Sequence, residues 1–420
     1  MIYFNLIMSL IIYLFSLYIC ISRRGYGYLP VFFSCYFIFI LIIPAFFHVS
    51  ENIFPFYQLS YNYDDIYKAS LVLLFFTVLF WIGFFWNQKI PNFGINKSSD
   101  VLKIKTINKF RFILVFYFLI LVTAGVIAIY GPDTFMVKRS EFDRDAFGAN
   151  STSRELFLNL IKTISFANVF FVILLKKNFN KIIFIFNLAL ASILFFIINF
   201  PLAQPRFVFF SYIIFLFCFF FRSAFKRKFL VFISFFLGVT TIFPYFSHLT
   251  RGEGTFDIDV GEYYRLSGDF DGFQSIVNGV ILVNKYGHTM GNQLLSSLFS
   301  FVPRSFWLSK SEPTGSLGAA AAGYDFVNIS SPLPIEFYVD FGFLGLIIFS
   351  FLFGILLRKI DIFYISDRRW GLKYIIAVIL ISMIAVISRG ALLAVLNNFY
   401  VTVFVFSVIY FLLFCKIKIR

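Results

Sequence analysis

Residues 207–221 read FVFFSYIIFLFCFFF, an apolar run without one charged side chain. Alone it is short for a membrane span, because a bilayer core of about 30 Å needs roughly 20 apolar residues as helix. Its neighbours decide the matter. Ten further runs flank it, at Ile2–Ile21, Leu29–Phe47, Ala69–Trp86, Phe112–Tyr130, Leu156–Leu175, Ile182–Phe200, Phe229–Phe246, Ile335–Leu357, Leu372–Ser388 and Phe399–Phe414. The 420-residue chain is 60% hydrophobic and only 14% charged, where soluble domains carry about a quarter charged residues. Phe alone supplies 67 residues, more aromatic surface than a soluble core buries without leaving adhesive patches. The expected fold is all-α: a polytopic integral membrane protein with about 11 transmembrane helices. Continuous apolar character, without strand-like alternation, excludes a barrel.

Charge orients the bundle. Alternate connections, from Ser22–Gly27 to the C-terminal tail, hold most of the Lys and Arg and only three acids, Asp100, Asp361 and Asp367. Cations concentrate on the cytoplasmic side, so the C-terminus is expected there. The net charge of +15 is thus a topology signal rather than a nucleic-acid surface. The chain then divides into 1–246, eight spans with short loops; 247–334, one large periplasmic loop; and 335–420, three spans and a cytoplasmic tail. The first cation is Arg23, so the first run reads as an anchor with an exported N-terminus rather than a cleaved signal. Within the long loop, Phe273, Ile276, Val277, Val280 and Ile281 recur at helical spacing, as do Leu294, Leu295, Leu298, Phe299 and Val302. Two amphipathic helices on the membrane surface, over the mouth of the bundle, are expected.

Several chemistries are missing. Only Lys162 places a charge well inside a span, which disfavours ion-coupled transport. His48, His248 and His288 lack zinc-ligand spacing, and Cys20, Cys35, Cys218 and Cys415 all lie in or at the end of apolar runs. No phosphate-cradling or dinucleotide loop occurs, so neither cofactor nor metal is expected. The pair Asp64–Asp65 reads as solvated rather than cation-binding.

Arginines at the outer boundary stand out: Arg206 in PLAQPRF, Arg251 in HLTRGEG, Arg265 in EYYRLSGD, Arg304 in VPRSFW and Arg389 in ISRGA. Cations there run against the topological bias. A guanidinium offers a planar fork of donors that matches phosphate oxygens, so one reading is a diphosphate clamp. The other is snorkelling to headgroups or pairing with a nearby acid.

The stretch SSPLPIEFYVDFGFLG, Ser330–Gly345, carries acids at the start of a span. Ser330 or Ser331 can cap the helix, with Pro332 and Pro334 in its first turn. Glu336 and Asp340 are four apart and share a face. Glu336, partly desolvated, is suited to take a proton from a hydroxyl; alternatively both acids complement the dipole of their own helix. Gly342 and Gly345 suit close helix packing. The Gly/Ala-rich TGSLGAAAAGYDF, Thr314–Phe326, reads as a connection or as a backbone cradle for an anion.

PRF at 205–207 after a short turn is followed by the large late loop, SFVPRSFW, a Gly-rich stretch and SSPLPIEFYVDFGFLG. In that order and architecture the sequence resembles the Wzy-type O-antigen polymerases, the oligosaccharide repeat unit polymerases. The residue-level likeness lies mainly in 201–345. The resemblance implies a glycosyltransferase of the bacterial inner membrane, acting at its periplasmic face without metal. A growing glycan on undecaprenyl diphosphate would pass to an incoming lipid-linked repeat unit. Arg206, Arg251 and Arg304, with Arg265 and Arg389, would hold the leaving diphosphate; Glu336 would be the general base, with His288 as its substitute. Implied partners are the lipid-linked oligosaccharides, membrane lipid and a chain-length regulator, with no nucleic acid. O-antigen ligases share the layout, and a repeat-unit flippase is the non-enzymatic alternative.

Overall fold

A computed structural model describes residues 1–56, 61–86, 109–138, 151–176, 179–221, 224–245, 260–366 and 371–414. Arg251, His248 and Cys415 lie outside the described residues. In chain order the helices are α1 (Ile2–Ser22), α2 (Leu29–Glu51), α3 (Tyr63–Phe85), α4 (Lys109–Tyr130), α5 (Ser151–Leu174), α6 (Lys181–Ile198), α7 (Arg206–Phe220) and α8 (Lys226–Tyr245). Four short helices follow, α9 (Val260–Leu266), α10 (Gly272–Tyr286), α11 (Asn292–Leu298) and α12 (Thr314–Ala321). The chain closes with α13 (Leu333–Ser366), α14 (Leu372–Arg389) and α15 (Leu392–Phe414). No strand occurs among the described residues.

Ten of these helices are long and apolar enough to cross a membrane. The run at 207–221 forms α7, a 15-residue helix. At about 1.5 Å per residue it spans less than the bilayer core. The expected span count of about eleven therefore resolves as ten long helices and this shorter one. Proline shapes two of the spans. α2 contains a π turn, Phe37–Ile42, just before Pro44, and α8 contains another, Gly238–Ile242, just before Pro244. Proline has no N–H to donate, and widening one turn shifts the hydrogen-bond register around the gap.

The interior is aromatic. Phe33, Phe37, Phe76 and Phe80 are fully buried, and the Phe33 and Phe80 rings lie 4.2 Å apart. Where α3 crosses α13, two glycines meet backbone directly. A Cβ on Gly83 would come within 2.1 Å of the Phe351 carbonyl oxygen, and one on Gly354 within 2.2 Å of the Phe80 carbonyl oxygen. Lipid drives no hydrophobic association between helices, so such close contact supplies the packing attraction.

Successive helix ends alternate, and the tertiary contacts agree. His48 meets the Tyr264 carbonyl at 3.1 Å, and Arg206 donates to the Tyr263 hydroxyl at 3.2 Å, which gathers residues 260–334 at one end of the bundle. At the opposite end α13 runs to Ser366, past the expected stop at Leu357. Arg358 and Asp361, read from sequence as loop charges, are buried there and paired at 3.1 Å. Asp361 also accepts from the Gly27 amide at 3.0 Å, and Arg358 donates to the Gly25 carbonyl at 3.0 Å. Lys228 is buried nearby on the carbonyls of Cys20, Arg23 and Tyr26. Tertiary packing thus turns part of the basic signal into an internal lock.

The two amphipathic helices form, with different fates. On α10, Phe273, Ile276, Val277 and Val280 are fully buried, and so are the polar Gln274 and Asn278. A helix enclosed on both faces is part of the bundle's packing, not a surface float. α11 is shorter and leaves Leu295 and Leu298 exposed, beside exposed Phe299, Phe301, Phe306 and Leu308.

Candidate functional site

α13 is broken near its start. Phe341 and Gly342 leave helical geometry, and Gly342 takes φ +61°, a conformation that costs any residue with a Cβ. Gly342 therefore makes the break, beyond the packing role expected of it. Every residue from Leu333 to Asp340 is buried, and both acids of the motif lie in this segment.

Neither acid serves its own helix. One Glu336 carboxyl oxygen accepts from the Thr314 hydroxyl at 2.8 Å, and the other from the Leu392 amide at 3.2 Å, the first residue of α15. Asp340 Oδ1 accepts from the Thr289 hydroxyl and from the amides of Gly291 (3.1 Å) and Gln293 (3.0 Å). Its Oδ2 takes the Leu294 amide at 2.8 Å. The first amides of a helix have no partner within it, and a carboxylate satisfies both their hydrogen bonds and the helix dipole. Asp340 is thus the cap of α11, and Glu336 links α12 to the start of α15. Ser330, a candidate cap from sequence, bonds the Ser275 hydroxyl at 3.0 Å instead.

Two of the arginines converge on one turn. Arg206, the first residue of α7, pairs with Asp269 and donates to the Tyr263 hydroxyl at 3.2 Å. Tyr263 in turn donates to Asp269 at 2.6 Å; burial, and then this carboxylate, raise its pKa and keep it a neutral donor. Arg389, the last residue of α14, reaches Asp271 at 2.9 Å and the Gly268 carbonyl at 2.8 Å, with its guanidinium 5.3 Å from the Phe207 ring centroid. Asp271 is buried and also holds the Ser330 amide at 3.1 Å. The Ser331 amide donates to the Arg389 carbonyl at 3.0 Å, which ties this cluster to the segment bearing Glu336.

The other sequence candidates sit around that centre. Arg265 donates from a single nitrogen, Nη1, to both carboxylate oxygens of Glu51, at 2.9 and 3.1 Å, in an exposed setting. Arg304 pairs with Glu312 at 3.0 Å and donates to the Lys310 and Ser311 carbonyls. Lys310 is buried on the Ser300 and Val302 carbonyls; burial and then the adjacent Arg304 push its pKa down. His288 lies against the break in α13, with Nδ1 3.3 Å from the Val339 carbonyl oxygen, and so stands beside Asp340 rather than Glu336. Each arginine described here carries an acid, so an incoming diphosphate would share or displace a carboxylate. Asp269, Asp271, Tyr263 and Thr314 were not singled out from sequence. The one local signal was SGDFDG (Ser267–Gly272), two acids between glycines, and its arginine partners lie more than sixty residues away on either side.

Searches of curated proteins and of solved structures found no match. A match does exist over the last quarter of the chain, covering the end of the segment that precedes α13, Glu336, Asp340, Arg389 and α13–α15. With ten apolar helices, it indicates a multi-pass protein of the bacterial inner membrane. The matching sequence model describes the O-antigen polysaccharide polymerase Wzy family, over residues 323–420, and it supports the reading of this chain as an O-antigen polymerase of that family.

Proposed function

We propose that the chain joins lipid-linked repeat units at the periplasmic face of the inner membrane. The acceptor hydroxyl of an incoming unit attacks the anomeric carbon of the growing glycan. The carbon–oxygen bond to undecaprenyl diphosphate breaks, and the diphosphate leaves with the electron pair. Glu336 takes the hydroxyl proton. A carboxylate has about four acceptor positions, and two are filled by Thr314 and Leu392, so Glu336 keeps capacity for a substrate hydroxyl. Arg206 and Arg389, with Arg265 and Arg304 and the sequence candidate Arg251, neutralise the departing diphosphate. Fixed positive charge aimed at developing negative charge is the expected main source of rate, and the reaction needs no metal in this scheme.

One observation carries the reading. Arg206, Arg389 and Glu336 come from three distant parts of the chain, yet they are joined through the 268–271 turn and Ser330–Ser331 at one end of the bundle. The test is the lipopolysaccharide made without the protein. Loss should leave core carrying a single repeat unit. Long polymer stranded on undecaprenyl diphosphate would instead identify a ligase, and repeat units held at the cytoplasmic leaflet a flippase.

A further inference from the structure

A second polar feature lies at the same end of the bundle, with a lining that includes none of the arginines. It is a depression of about 370 Å³ lined by Tyr61, Asn62, Asp65, Ile281, Asn284, Lys285, Ala321 and Ala322. That volume falls in the range of small-molecule sites, roughly 300–1,000 Å³. Its wall is organised in advance. Asn284 donates to Asp65 at 2.9 Å and accepts from Lys68 at 3.0 Å, and Lys285 is anchored on the Ala321 carbonyl at 2.6 Å. Tyr61 is locked by Asn278, Gln274 and Tyr324, all buried.

We infer that this depression is a sugar subsite, holding a residue of the acceptor repeat unit remote from the reacting hydroxyl. A pyranose presents C–H faces and a rim of hydroxyls. Ile281, Ala321 and Ala322 supply apolar surface, while Asp65 accepts, Lys285 donates and Asn284 does both, which suits adjacent hydroxyls. The opposite large depression, lined by Ile360, Phe363, Ile376, Ala377, Leu380 and two lysines, has no such mixture. Placement supports the assignment. Thr314 at one end of α12 holds Glu336, and Ala321 at the other end lines the depression. Seven residues of helix separate them by about 10 Å, a gap that a short oligosaccharide bridges.

The inference rests on the polymerase reading, and the experiment separates the two. The probe is the oligosaccharide released by mild acid from lipid-linked units that accumulate in a strain lacking the protein. Full-length protein in lipid nanodiscs should bind it. Asp65→Ala and Asn284→Ala should each weaken binding at least tenfold. Ala322→Phe, which fills the depression and removes no polar group, should do the same with unchanged thermal melting. Lys373→Ala, at the other end of the bundle, should bind as wild type. No binding by wild type, or unchanged affinity in all three variants, overturns the subsite. A null strain that still makes long-chain polymer and accumulates no lipid-linked unit overturns the polymerase reading instead.

Discussion

Glu336 and Asp340, four residues apart on one buried helical segment, each accept hydrogen bonds from the first amides of a different helix. Asp340 uses both oxygens on the start of α11, whereas Glu336 spends one on Leu392 and one on a hydroxyl. The difference separates their expected roles.

Glu336→Gln keeps an oxygen for Leu392 and an amide near Thr314, so the protein should remain in the membrane. Polymer should disappear, because an amide takes no proton from a hydroxyl. Chain length read from a lipopolysaccharide gel checks this, and a wild-type ladder would exclude Glu336 as the base.

Asp340→Ala should act on stability. It leaves three amides and the Thr289 hydroxyl without their acceptor, at a cost of about 1–3 kcal/mol for each one that stays buried. Lower thermal melting in detergent and faster proteolysis near residues 288–294 are expected. An unchanged melt would show that the cap contributes nothing.

Arg206 and Asp269 form a mostly buried pair, and breaking such a pair commonly costs about 3–5 kcal/mol. If the guanidinium serves the leaving diphosphate, the two partners are not equivalent. Arg206→Ala should yield core-plus-one-unit lipopolysaccharide. Asp269→Asn, which keeps a hydrogen-bonding group beside Tyr263, should retain polymer. Equal loss from both variants at equal protein level would reduce the pair to a structural tie.

The α3–α13 crossing is testable without reference to activity. Gly83→Ala places a Cβ against the Phe351 carbonyl, where no side chain can yield. Overpacking of this kind costs about 1–3 kcal/mol. A drop in membrane-inserted protein is expected, and normal levels would show that the helices slide apart freely.

Fold class was legible from single residues upward because a spanning helix satisfies its own backbone, so each apolar run declares itself locally. The expected runs became helices, and the brief run at 207–221 became the shorter α7. Gly342 illustrates the limit: its spacing suggested packing, and only the backbone path shows the positive φ that breaks α13.

Sequence by itself determined the lipid environment and the helical class, and it singled out the arginine and carboxylate candidates, since hydropathy and residue chemistry are properties of short windows. Tertiary structure decided which acid meets which base. Asp269 and Asp271 lie beside neither arginine in the chain, and Arg358 and Asp361 read as loop charges until α13 carried them into the interior. Hydrogen bonds and ion pairs act over about 3 Å, so partners separated by more than sixty residues, as Arg206 and Arg389 are from their acids, meet only after the bundle has closed.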